Sequence, residues 1–129
     1  MTILLETINI FVKNMSQTIQ FYKLLGLKFN DGDEKKSYVK VSFSGIFLCF
    51  YEQEIVTDYF KTINFGSSNN FELSFRVKSA SKVDELYNTL MNAGYQEQSF
   101  KKPSNADWGQ RTAFILDPDG NLIEICAHL

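Results

Sequence analysis

Two carboxylates give this sequence its clearest chemical prospects. Glu124 sits in "DPDGNLIEI", residues 117 to 125, between Ile123 and Ile125, where burying a charge is unfavourable unless something compensates it. Glu72 occupies the matching phase of an earlier alternating segment, "FELSFRV". Side chains two apart on a strand share a face. One set is therefore Glu72, Ser74 and Arg76 with Leu122, Glu124, Cys126 and His128, and the N-terminal strand adds Thr7, Asn9 and Phe11. Carboxylates sharing a hollow raise one another's proton affinity or attract an amine or guanidinium. Either one is also a candidate general base toward a small carbonyl substrate, or an oxygen ligand for Mg²⁺ or Mn²⁺. A solvated sheet face would show the same alternation, with Glu72, Arg76 and Glu124 in ordinary ion pairs.

Flat side chains could supply walls for such a hollow: Phe11, Tyr38, Phe47, Tyr51 and Trp108. Aromatic rings offer large contact area with few rotatable bonds, although for any single one of them core packing is the stronger reading. Trp108 differs, because it lies in the polar loop "SNADWGQR" outside any periodic segment. Arg111 beside it is a candidate for contact with an anionic group, or for pairing with Asp107 or Glu124. The lone histidine, His128, is penultimate and expected to be exposed. There is no phosphate-cradling glycine loop, no Cys-x-x-Cys, no nucleophile elbow and no order of residues suggesting a triad. Asp117 and Asp119 read as turn formers around Pro118 and Gly120.

These residues need a scaffold, and the composition supports one. A chain of 129 residues with 44% hydrophobic and 15% aromatic content can bury a core within one domain. The net charge of −2 and the absence of a basic block exclude a nucleic-acid footprint. The start, "MTILLETINIFVKN", has no basic leader followed by a long apolar core, and no segment approaches the roughly 18 apolar residues of a membrane span. Cys49 and Cys126 each fall in an apolar strand pattern, which predicts buried free thiols and a reducing, cytoplasmic setting.

The periodicity predicts a strand over 3–12, a helix capped by Ser16 and closed by Gly26, then strands at 27–30, 38–43 and 46–52. The order then returns. A strand over 71–77 precedes a helix ending at Gly94, with Ser81 and Asp84 as a capping box. Strands over 95–100, 111–116 and 121–127 follow, with Pro103 in a loop. Thr7 maps onto Glu72 with an offset of 65, and Gly26 onto Gly94 with an offset of 68. Each half is thus one supersecondary unit: module one at about 1–54, module two at about 70–129, and between them a linker at about 55–69 that is flexible over 66–70 and carries a short helix before that. Ile8, Ile10, Val12, Leu73, Phe75, Val77, Ile123 and Ile125 are the expected helix-covered core.

"INIFVKNMSQTIQFYKLLGLKF" followed by "WGQRTAFILDPDGNLIEI" resembles the glyoxalase/bleomycin resistance/dioxygenase family, the vicinal oxygen chelate superfamily, over nearly the whole chain. The resemblance implies an α+β fold of two βαβββ modules, each with a four-stranded curved mixed sheet, enclosing a cleft and commonly forming homodimers. In metal-using members the first and last strands of each module carry ligands, usually His and, at the last, Glu. By position these fall on Thr7, Cys49, Glu72 and Glu124, of which Glu124 alone keeps the usual type. A hydroxyl, a thiol and two carboxylates without imidazole suit zinc, iron or nickel poorly. The expectation is a protein with no cofactor that binds a small, cationic organic molecule through Thr7, Asn9, Phe11, Cys49, Tyr51, Glu72, Ser74, Trp108, Arg111 and Glu124, in the manner of the family's antibiotic-sequestering members. The alternatives are a lyase, isomerase or other small-molecule enzyme using Glu124 or Glu72 as base or as oxygen ligands of a divalent ion, and an interaction module with an empty, collapsed hollow.

Overall fold

The computed structural model describes residues 4–57 and 71–129, and the chain divides into two compact units, Met1–Phe65 and Gly66–Leu129. Most of the expected linker, from 58 onward, lies outside the described residues.

The first unit runs β1 (Thr7–Val12), α1 (Met15–Leu25), β2 (Tyr38–Phe43), β3 (Ile46–Glu52) and the one-turn α2 (Gln53–Val56). Its sheet has the order β1-β3-β2, with β1 parallel and β2 antiparallel to β3. Three strands stand where four were expected, because residues 27–30 form none. Two of their backbone donors are spent locally: the Leu27 N–H closes the end of α1 on the Tyr22 carbonyl, and the Asn30 N–H donates to the Asp33 carboxylate at 2.8 Å. Gly26, at φ 119°, makes that helix end possible, since the left-handed conformation strains residues with a Cβ.

Helix α1 starts at Asn14 rather than Ser16. The Asn14 side chain accepts from the Gln17 N–H at 2.9 Å, and Ser16 is an exposed residue of the first turn. The helix buries Met15, Ile19, Phe21, Tyr22 and Leu25 with Ile10, Val12, Val39, Val41, Leu48 and Phe50 of the sheet. Tyr22 lies 5.0 Å, centroid to centroid, from Phe50.

The second unit runs β4 (Glu72–Arg76), α3 (Ala80–Asn92), β5 (Ser99–Ala106), β6 (Gln110–Leu116) and β7 (Leu122–His128), in the sheet order β4-β7-β6-β5. Here the N-cap is Ser79, which accepts from the Lys82 N–H, and not Ser81. Gln96–Gln98 form a 3₁₀ turn, and the strand begins later and runs through Pro103. An edge strand tolerates a residue without an N–H, and the register of β5 shifts between Lys101 and Ser104 around it. Val83, Tyr87 and Leu90 of α3 are buried, as are Ile123, Ile125 and Ala127 on β7 and Ala113 and Ile115 on β6.

The repeat survives in the strand register. Thr7 pairs with Phe47 and Asn9 with Cys49; Glu72 pairs with Leu122 and Ser74 with Glu124. Cys49 thus stands in the first sheet where Glu124 stands in the second. Among the described residues no helix is long and apolar enough to cross a membrane.

Candidate functional site

In the second unit β7 is an interior strand, flanked by β4 and β6, and this explains the enclosure of Glu124. Only 8% of it is exposed. Ser74 stands directly across on β4 and donates its hydroxyl to Glu124 Oε1 at 2.5 Å, while Ser74 Oγ also lies 3.6 Å from Cys126 Sγ. Phe114 flanks Glu124 from β6. No cation among the described residues pairs with Glu124 or Glu72. Glu72 is the diagonal neighbour of Glu124 on the same face. Its pKa is raised, first by the desolvation of its carboxyl, then by the charge of Glu124 and a hydrogen bond shared with it. The face therefore presents a buried carboxylate held by one hydroxyl, a second carboxyl with increased proton affinity, and an exposed Ser74 beside them.

Asp117, in the turn before β7, is a buried carboxylate of a different kind. Its Oδ1 accepts from the backbone N–H groups of Asp119 and Asn121 at 2.9 and 2.8 Å, and Oδ2 accepts from Asn121 Nδ2 at 2.9 Å. It is a turn former whose acceptors are filled from within the turn, in line with the sequence reading.

Arg111 is not brought to Glu124. It lies on the opposite, helix-covered face, where Nε and Nη2 each donate to Asp84 Oδ1 at 2.9 Å and Nη1 donates to Asn105 Oδ1 at 3.0 Å. This replaces both the expected pairing with Asp107 or Glu124 and the capping role of Asp84. The period-two rule itself separates Arg111 from Gln110 and Thr112, so strand phase could have placed it. Trp108 sits at the β5–β6 turn, 69% exposed, with Nε1 donating to Gln110 Oε1 at 3.0 Å. Gln110 is four residues along β6 from Phe114, the neighbour of Glu124, or about 13 Å. Trp108 is thus at the far end of the sheet from Glu124. His128 is exposed at the end of β7.

In the first unit the face away from α1 gathers Thr7, Asn9 and Phe11 of β1, Phe47, Cys49 and Tyr51 of β3, and Tyr38, Lys40 and Ser42 of β2. Cys49 is a buried free thiol, as is Cys126. The Tyr38 hydroxyl donates to Cys49 Sγ at 3.7 Å. That bond, followed by burial, pushes the Tyr38 pKa up to about 12. Tyr51 stacks obliquely between Tyr38 and Phe11, at 4.7 and 6.0 Å. The sequence named most of this row but missed Lys40, whose signal was its phase with Tyr38 along β2.

A glyoxalase-like domain model matches residues 5–129. The chain belongs to the glyoxalase-like family. The chain is also similar to other proteins in sequence and in fold. The uncharacterized protein YraH of Bacillus subtilis is 28% identical over 123 residues, covering 92% of this chain and 93% of that one. A glyoxalase-related enzyme from Fulvimarina pelagi superposes with a TM-score of 0.81 at 17% identity, covering 97% of this chain and 88% of that one. A glyoxalase/bleomycin resistance protein/dioxygenase family enzyme from Burkholderia phytofirmans gives 0.77 at 21%, covering 96% and 98%.

The glyoxalase-like fold raises the matter of a metal, and the donors answer it within each unit. Among the described residues no three of His, Cys, Asp and Glu converge. The second unit offers the oxygens of Glu72, Glu124 and Ser74, of the kind Mg²⁺ or Mn²⁺ takes; the first offers a thiol whose near partner is a phenol. Neither set fits zinc, iron or nickel.

Proposed function

We propose that this glyoxalase-like protein binds a small organic molecule bearing an amine, amidine or guanidine group, received by the Glu124 and Glu72 carboxylates of the second unit without a transition metal. The observation that supports it is Glu124 itself: a buried carboxylate with one hydroxyl donor and no cation among the described residues. A charge so placed is destabilising until it is neutralised, and a ligand cation would supply what the described residues do not. Ser74 fixes the carboxylate's orientation, and Glu72 adds a second acceptor. The raised proton affinity of Glu72 favours, as a second reading, proton transfer with a small carbonyl substrate.

Thermal denaturation over a panel of amines, amidines and 2-oxoacids, with and without EDTA, tests this. Ligands that prefer the folded state raise the midpoint. The expected result is a shift with at least one cationic compound, insensitive to EDTA and reduced about tenfold or more in apparent affinity by Glu124→Gln. A panel without any cationic hit, or hits indifferent to Glu124→Gln, would refute the reading. Turnover of an oxoacid abolished by Glu72→Gln would support the second one.

A further inference from the structure

The first unit carries a face of opposite chemistry. Phe11, Tyr51 and Tyr38 stand in register across β1, β3 and β2, with centroids 6.0 and 4.7 Å apart and ring planes inclined by 35° and 44°. The strip is not needed to fill the space beneath α1, which Phe21, Tyr22 and Phe50 already occupy. Tyr38 leaves 40% of its surface exposed.

Lys40 follows Tyr38 by two residues on the same face, or about 7 Å along the strand. Its Nζ rests 4.0 Å from the centroid of the Phe47 ring, a contact that steadies an ammonium without neutralising it. No carboxylate among the described residues pairs with it. Asn9, exposed, shares its row through Cys49. None of the nine side chains on this face is acidic. The Tyr38 phenol, held by Cys49, stays neutral through the physiological range, so it does not repel an anion.

We infer that this face is a seat for a flat aromatic anion, its ring lying on Phe11, Tyr51 and Tyr38 and its acidic group directed toward Lys40 and Asn9. Offset ring contacts supply the area, and the Lys40 ammonium supplies the sign. The seat is built from side chains of the first unit alone and does not depend on the carboxylates of the second.

The test uses the full, isotope-labelled chain and three probes: 2-naphthoate, 2-naphthylmethylammonium and cyclohexanecarboxylate. Titration with 2-naphthoate should shift the resonances of Phe11, Tyr38, Tyr51 and Lys40 saturably at millimolar concentration, and the other two probes should bind those residues more weakly. Lys40→Glu, at an exposed site where folding is not at stake, should weaken 2-naphthoate by at least about threefold. Tyr38→Leu should weaken it about two- to tenfold, and Glu124→Gln should leave it unchanged. Absence of saturable shifts, equal binding by Lys40→Glu, tighter binding of the ammonium probe, or shifts that vanish with Glu124→Gln would each overturn the assignment.

Discussion

The two units share a strand plan and differ in what they display on it. In both, a parallel pair formed by first and last strands puts apolar residues toward a helix: Ile10, Val12, Leu48 and Phe50 in one, Ile123 and Ile125 in the other. On the reverse face, the positions of Asn9 and Cys49 in the first unit are those of Ser74 and Glu124 in the second. One face is aromatic with a lysine; the other holds a carboxylate pair and a hydroxyl. The difference teaches that the helix-facing phase is constrained by burial, whereas the opposite phase is free to diverge, so site chemistry must be read there.

A second contrast lies within the second unit, between its buried carboxylates. Asp117 receives three donors from its own turn, whereas Glu124 receives the Ser74 hydroxyl and shares a hydrogen bond with another carboxyl, Glu72. Asp117→Ala leaves two backbone N–H groups without acceptors and should cost about 1–3 kcal/mol of stability. Glu124→Gln removes a buried charge that no cation among the described residues neutralises and should leave stability unchanged or raised. Urea denaturation of both variants checks this. A large loss with Glu124→Gln would make Glu124 a structural residue like Asp117 and erase the contrast.

The next effect is smaller and concerns how the helix of the first unit begins. The sequence pointed to Ser16, whereas Asn14 Oδ1 caps the helix. Asn14→Ala should cost about 1 kcal/mol and Ser16→Ala much less, measurable by the same denaturation. Both residues are good caps in isolation, and the choice rests on Met15 being drawn into the core at 1% exposure, a tertiary fact. The same limit applies elsewhere. Strands 38–43 and 46–52 were legible residue for residue, because alternation and the Ser44-Gly45 turn agreed. Residues 27–30 carry a strand pattern without forming one, since their apolar pattern is identical whether the backbone pairs with a sheet or closes a helix and a turn. Pro103 points to a loop in sequence yet lies within β5, because an edge position cannot be seen in composition. In the candidate site, Glu72, Ser74 and Glu124 were legible from phase alone, and the structure brings them together. The Arg111–Asp84 pair was not, because it links a strand to a helix through packing that no local pattern encodes.

The smallest expected effect is the pH dependence that Glu72 imposes on the second unit. Burial and Glu124 raise its folded-state pKa above the ordinary 4.5, so just above that pH the folded chain retains a proton that the unfolded chain has released. Stability attributable to this carboxyl is then fully present below 4.5 and declines as pH rises through the raised value. The slope is shallow, because Glu72 is largely exposed and solvent screens its interaction with Glu124. Glu72→Gln should flatten that decline while leaving Asp33 untouched. The pKa of Asp33 in the first unit is lowered, chiefly by the Asn30 N–H, so its contribution is present above 3.8 and lost as pH falls. A cationic ligand at Glu124 should act on Glu72 in the direction opposite to Glu124's own charge, drawing off the retained proton, so amine affinity should rise with pH over the interval in which Glu72 titrates. Denaturation midpoints measured from pH 4 to 7 in the wild type and Glu72→Gln, with and without the amine, separate these contributions. Identical profiles for the two proteins would mean that the carboxyls do not sense one another, and that the second unit's face is a solvated surface with no more specificity than its charge.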